Sequence, residues 1–147
     1  MKILICGLPG AGKTTLANEL KKYLECHGKT VEWFNGDDVR KRFDDWDFSH
    51  AGRIRQSTRM RELAELSESD FVICDFIAPL KEMRDNFQAD WTVWVDTIDR
   101  STYEDTDKIF ESPEQYDFRI TEQNAEHWSV YIGSRILVNS THSYIPT

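Results

Sequence analysis

Residues 7–14 read Gly7-Leu8-Pro9-Gly10-Ala11-Gly12-Lys13-Thr14, a complete G-x-x-x-x-G-K-[ST] run. Glycines at this spacing let phosphate oxygens reach main-chain N–H groups. A helix beginning near Lys13 turns its positive dipole end toward the same phosphates. Lys13 brings a compact charge for the β- and γ-phosphates, and Thr14 a hydroxyl for Mg²⁺. The residue types predict a nucleoside-triphosphate cradle formed by Gly7, Leu8, Pro9, Gly10, Ala11, Gly12, Lys13, Thr14 and Thr15, with ATP and Mg²⁺ as its cofactors. The run leaves the reaction open. The sequence holds neither an [NT]-K-x-D guanine-reading element nor the L-S-G-G-Q element of transporter ATPases. A short chain with no spare domain favours a kinase for a small substrate over a switch or a motor.

A second set of residues suits an acceptor. The run Phe34-Asn35-Gly36-Asp37-Asp38-Val39-Arg40 follows a predicted strand. In a parallel sheet ligands gather at the carboxyl ends of strands, which brings these residues to the phosphate loop. Asp37 there suits the proton of an attacking hydroxyl or a Mg²⁺-bound water, whereas Asp37 or Asp38 would also serve as a helix cap. Arg40, Lys41, Arg42, Arg53, Arg55, Arg59 and Arg61 place seven basic residues in 22 positions, interrupted by Asp44, Asp45 and Asp47. Arg40 and Arg53 are the expected anion contacts, because the guanidinium fork matches phosphate and sulfate oxygens. Arg53 shares a helix face with Gln56 and Ser57, while Arg55 and Arg59 form a separate i, i+4 row expected to face solvent, as does Arg61. Phe71-Val72-Ile73-Cys74-Asp75 is four apolar residues followed by an aspartate, the Walker-B pattern. Thr14, Asp37 and Asp75 are thus the metal candidates.

The elements that must position these groups follow from hydrophobic patterning. Strands are predicted at Lys2–Cys6, Thr30–Phe34, Phe71–Ile77 and Trp91–Val95. Helices are predicted at Lys13–Glu25, stopped by Gly28, at Ala51–Glu68, and from Pro79 to about Phe87. Ala125, Trp128, Ile132 and Ile136 form the stripe of a closing helix. Alternating strands and helices imply an α/β, three-layer fold with a mostly parallel central sheet, one domain over residues 1–147. The stretch 101–121 lacks regular pattern and reads as a short lid. The 147 residues carry a net charge of −8, which argues against general nucleic-acid or anionic-membrane binding. Hydrophobic content of 39% with five Trp indicates a folded domain, and no apolar run nears the roughly 18 residues of a membrane helix. Trp33, Trp46, Trp91, Trp94 and Trp128 are expected in the core or at an interface. Cys6, Cys26 and Cys74 read as reduced thiols, two of them in apolar strands, so the expected compartment is the cytoplasm.

These residues resemble the adenylylsulfate (APS) kinase family of P-loop kinases. Gly7–Ala17 reads Gly-Leu-Pro-Gly-Ala-Gly-Lys-Thr-Thr-Leu-Ala against the family's G-L-x-G-x-G-K-T-T-L-A. The family's L-D-G-D-N-x-R is similar to Phe34–Arg40, its F-S-x-x-D-R-x-x-N to Phe48–Gln56, and its F-I-S-P to Phe76-Ile77-Ala78-Pro79. The resemblance runs in order through roughly the first 95 residues. It implies transfer of the γ-phosphoryl of ATP to the 3′-hydroxyl of adenylylsulfate, giving PAPS and ADP. It implies Lys13 and Asp37 as catalytic residues, Arg40 and Arg53 on the phosphosulfate, Phe48 stacked on the acceptor adenine, and Gln56, Ile77 and Lys108 in the same pocket. The partner is then a small anionic substrate, with a homodimer as candidate assembly.

The pattern has departures. Asn35 stands for the family's first aspartate, Gly52 for the aspartate before the arginine, Ala78 for a serine, and Asp75 for a small residue. The lid stretch Asp105-Thr106-Asp107-Lys108-Ile109-Phe110 keeps only Lys108 of R-D-x-K-G-L-Y, and F-T-G is missing, leaving Phe110 or Phe118 to supply a second stacking face. A P-loop kinase for another hydroxyl-bearing metabolite or nucleotide end, or a non-catalytic nucleotide-binding module, are the competing readings.

Overall fold

The computed structural model describes residues 1–142; the last five positions of the expected 1–147 domain lie outside the described residues. The chain order is β1 (Lys2–Cys6), α1 (Lys13–Cys26), β2 (Val31–Asn35), α2 (Gly36–Phe43), α3 (His50–Leu66), β3 (Phe71–Asp75), α4 (Lys81–Phe87), β4 (Trp91–Val95), α5 (Glu104–Ile109), β5 (Phe118–Ile120) and α6 (Ala125–His142). The strands form one parallel sheet in the order β2-β3-β1-β4-β5. The predicted α/β three-layer architecture is the observed one.

Strand alternation divides the core in two. Ile3, Ile5, Ile73 and Val93 face α1 and α6, packing on Leu16, Leu20, Leu24, Ile132 and Ile136. Leu4, Cys6, Val72 and Cys74 face the other way, onto Met60, Ala64, Met83 and Phe87 of α3 and α4. Both faces of the central strands are dry, as the continuous apolar runs required. Burial pushes the Cys6 thiol up to about 11 and the Cys74 thiol higher still, so both remain protonated packing groups, whereas Cys26, at the end of α1, is exposed.

Three expectations are corrected. The stretch 101–121 contains a helix, α5, and a fifth strand, β5. Phe118 and Ile120 turn inward while Arg119 turns out to Asp96 and over the Trp94 ring, an alternation too short to register in the sequence. Pro79 does not open α4, which begins at Lys81 after Leu80. The Pro79 carbonyl instead accepts from the Glu111 N–H at 2.7 Å and ties down the segment after α5. Neither Asp37 nor Asp38 caps α2, because the Asn35 side chain does so by accepting from the Asp38 N–H at 3.1 Å.

Candidate active site

The carboxyl ends of β1, β2 and β3 open onto one cavity of about 960 Å³. Its wall includes Pro9, Gly10, Gly12, Lys13, Thr14 and Thr15 from the loop that joins β1 to α1. Gly7, Leu8 and Ala11 lie behind that wall. A Cβ on Gly7 would sit 2.4 Å from the Val95 carbonyl oxygen, so only glycine fits there. Leu8 offers its carbonyl to the Lys13 ammonium at 2.9 Å. Burial pulls the Lys13 pKa below its ordinary value, opposed by the Asp75 and Asp37 carboxylates. A buried cation held by one carbonyl keeps two N–H donors for phosphate oxygens.

Asp37 is exposed in the first turn of α2 and lines the same cavity. Asp75 is buried at the end of β3. It accepts from the Trp33 indole N–H at 2.5 Å and from the Asn35 amide at 2.9 Å, and the Thr14 hydroxyl lies 3.5 Å from its Oδ1. Burial raises the Asp75 carboxyl to about 7, against the pull of Trp33 and Lys13. Thr14 and Asp75 present oxygen atoms side by side, the donor type Mg²⁺ takes. Among the described residues no three His, Cys, Asp or Glu side chains gather as a metal cage. The Thr14 hydroxyl beside the Asp75 carboxylate suits an ion that is carried in on phosphates and steadied by one or two carboxylates.

The acceptor candidates converge on the same space. Arg40 and Arg53 are 5% and 6% exposed, which sets them apart from the other arginines of the cluster. Arg40 donates to the carbonyls of Asp45 at 2.9 Å and Asp47 at 3.2 Å; Arg53 donates to the Phe48 carbonyl at 2.9 Å and the Thr106 hydroxyl at 3.0 Å. Both guanidinium groups lie on the Phe48 ring, at 4.3 and 5.3 Å. Burial lowers both arginine pKa values, and at Arg40 the nearby Arg53 adds to that effect while Asp45 opposes it. Gln56 donates to the Gly36 carbonyl at 3.0 Å and holds α2 against α3. Phe48, Gln56 and Ile77 all line the cavity.

Arg55 and Arg59 bind Asp45 instead, and hold its carboxyl well below the usual range. Arg61 donates to Asn86, and Arg59 lies over the Phe43 ring. The row expected to face solvent thus anchors the 44–49 loop, with only Arg55 exposed. Gly52 explains a sequence departure: a Cβ there would meet the Asp47 carbonyl oxygen at 2.2 Å, so the loop fills the space that an aspartate side chain would need.

Other candidates fall elsewhere. Lys108 is exposed and outside the cavity wall. It lies two residues, about 200° around a helix, from the inward Thr106. The stretch that includes α5 presents Tyr103, Glu104, Asp105 and Thr106 to the cavity. Phe110 and Phe118 pack into the two cores and leave the cavity to Trp46 and Tyr103. Of the tryptophans expected in the core or at an interface, Trp33 packs on the α1-side core with its N–H on Asp75, and Trp46 is exposed and lines the cavity. Trp33 was within reach of sequence reasoning, because positions 33 and 35 share a strand face and Asn35 pairs with Asp75 in register.

Three comparisons bear on this arrangement. Residues 1–99 match the model of the family described as adenylylsulphate kinase. The adenylyl-sulfate kinase of Bacillus licheniformis is 38% identical over 85 residues, which cover 56% of this chain and 43% of that enzyme. The bifunctional enzyme NodQ of Rhizobium tropici is 36% identical over 83 residues, 54% of this chain and 13% of that protein. The chain therefore spans less than half the length of these curated relatives. The fold is similar to that of the Mycobacterium tuberculosis APS kinase CysC in complex with AMPPNP and APS, with a TM-score of 0.79, 19% identity, and coverage of 92% of this chain and 96% of that one. No described helix is long and apolar enough to cross a membrane. With the glycine loop, the Asp37–Arg40 turn and the Phe48–Arg53 element all inside the matched stretch, the chain belongs to the adenylylsulphate kinase family.

Proposed function

We propose that the protein is an ATP-dependent phosphotransferase whose acceptor is a small hydroxyl-bearing anion, adenylylsulfate first among candidates. The observation that carries this reading is the single cavity shared by the Gly10–Thr15 cradle, Asp37, Arg40, Arg53 and Phe48. The cradle N–H groups and Lys13 hold the triphosphate. Thr14 and Asp75, with Asp37 nearby, would hold Mg²⁺, which would supply positive charge against the negative charge developing on the phosphates. Arg40 and Arg53 bind the acceptor's anionic tail and Phe48 its planar ring. Asp37 accepts the hydroxyl proton as the new oxygen–phosphorus bond forms and the bond to the β-phosphate oxygen breaks, releasing ADP. Positioning and charge neutralisation supply most of the rate.

The test is ADP release from ATP and Mg²⁺, with and without adenylylsulfate at low concentration. Strong stimulation with PAPS as product is expected. ATP binding with no stimulation by any hydroxyl acceptor would overturn the phosphotransferase reading in favour of a nucleotide-binding module. A second reading, a kinase for another acceptor, rests on the lid: Glu104 and Asp105 line the cavity while Lys108 does not. Stimulation by other hydroxyl compounds and none by adenylylsulfate would select it.

A further inference from the structure

Asn35 and Asp75 are register partners at the ends of adjacent parallel strands. Strand alternation turns both toward α1, the same face as Ile73 and Ile5, and so toward Thr14 in the first turn of that helix. The Asn35 orientation is fixed by the helix cap: its Oδ1 accepts from the Asp38 N–H, so its Nδ2 is the end that meets Thr14 and Asp75. Nδ2 donates to the Thr14 Oγ1 at 3.1 Å and to Asp75 Oδ1 at 2.9 Å. One Thr14 lone pair is thereby used, and Asp75 Oδ1 is the acceptor within reach of its hydrogen. The second lone pair is left for the cavity. On the far side the Trp33 indole N–H pins Asp75 Oδ2, and the rest of the Trp33 ring packs on the α1-side core.

We propose that Asn35 and Trp33 are positioning residues that hold the Thr14 hydroxyl and the Asp75 carboxylate in the one orientation that offers oxygen lone pairs to the divalent cation of an incoming nucleoside triphosphate. The inference rests on the phosphotransferase reading and deepens it. Partners of metal-holding groups of this kind are worth about 10–100-fold in metal affinity. The unit has a symmetric alternative. Exchanging the two side chains, Asn35→Asp with Asp75→Asn, preserves one carboxylate, one amide and a donor matched to an acceptor at every contact, with the direction reversed among Thr14, position 35 and position 75: Asp caps helices as well as Asn, and an amide oxygen still accepts from Trp33. Asn35→Asp alone sets two carboxylates against each other, and Asp75→Asn alone leaves no carboxylate.

The test is calorimetric titration of the full chain with ATP, once with Mg²⁺ and once with EDTA, giving the factor by which Mg²⁺ tightens ATP. We expect each single exchange to cut that factor about tenfold, the double exchange to return it to within about threefold of wild type, and Trp33→Phe, which keeps the ring in the core, to cut it several-fold. Affinity in EDTA should stay within about twofold in Trp33→Phe, which changes no charge beside the triphosphate; a merely structural role would not give that. Variants that keep the wild-type factor, or that lose affinity equally with and without Mg²⁺, would overturn the proposal; so would a double exchange no better than the singles. If the singles fail to fold, the double exchange and Trp33→Phe still decide it. A wild-type factor present and lost as expected, without phosphoryl transfer to any acceptor, would defeat the phosphotransferase reading while leaving this one standing.

Discussion

The proposed phosphate cradle and the proposed acceptor wall are built in opposite ways. The cradle is one contiguous run between β1 and α1, and its working parts are main-chain N–H groups plus two adjacent side chains. The acceptor wall borrows from α2, the 44–49 loop, α3, the segment after β3 and the lid helix α5. Arg40 and Arg53 are useful only because the carbonyls of Asp45, Asp47 and Phe48 and the Thr106 hydroxyl hold them. A local device survives change elsewhere, whereas a composite wall changes whenever one supplier does. Transfer chemistry and acceptor choice are therefore separable, and α5 is where the second has freedom to drift.

Substitutions on the two sides should separate the two properties. The largest effect belongs to Lys13→Ala, which should lower kcat by about 10³-fold with the far-UV spectrum unchanged. Near-wild-type turnover would break the comparison at its strongest point. Asp37→Asn should cost about 10²-fold in kcat while ATP affinity, read by calorimetry, holds. On the composite side, Thr106→Val removes one acceptor from the buried Arg53; losing about 1 kcal/mol there should raise the acceptor KM roughly fivefold and leave the KM for ATP alone.

Asp75 gives a prediction in pH. Its carboxyl, raised to about 7 in the folded chain, binds more protons folded than unfolded between roughly pH 4 and 7. The stability it contributes is therefore full below the unfolded value and is lost as pH rises through about 7. Metal-free wild type should fall in stability relative to Asp75→Asn between pH 5 and pH 8 in urea titrations; parallel curves would contradict the raised value. The smallest effect is Arg55→Ala. Its guanidinium serves the half-buried Asp45, which Arg59 also holds, and the exposed Asp47, and turnover should stay within about twofold.

The legibility of the molecule follows the same division. Gly7–Thr15 was readable because a phosphate loop is written in consecutive residues. Four of the five strands and the helices α1 and α6 were readable because each is long enough for its apolar pattern to show, and α3 because no Pro, and no Gly after Gly52, interrupts it. Strand β5 was hidden by its three-residue length, and it takes its stability from pairing with β4. Of the acceptor candidates, Arg40, Phe48, Arg53, Gln56 and Ile77 meet in one cavity, yet the reason the arginines are buried there is tertiary. Asp47, folded into the space above Gly52, supplies a carbonyl that no spacing in the chain announces. Thr106 sits 53 residues from Arg53, and only the packing of α5 beside α3 brings them together. Lys108 was misplaced for the converse reason, since a motif match carries no information about which side of a short helix faces in.

The central claim is that one cavity holds both the triphosphate and the anionic acceptor and passes phosphoryl between them. Incubation with γ-¹⁸O-labelled ATP, Mg²⁺ and adenylylsulfate, followed by mass spectrometry of the acceptor, tests it most directly. A labelled phosphoryl group is expected on the acceptor's 3′-hydroxyl, its rate of appearance cut about 10²-fold in Asp37→Asn and about 10³-fold in Lys13→Ala. Label found only in inorganic phosphate, with the acceptor bound and unchanged, would contradict it.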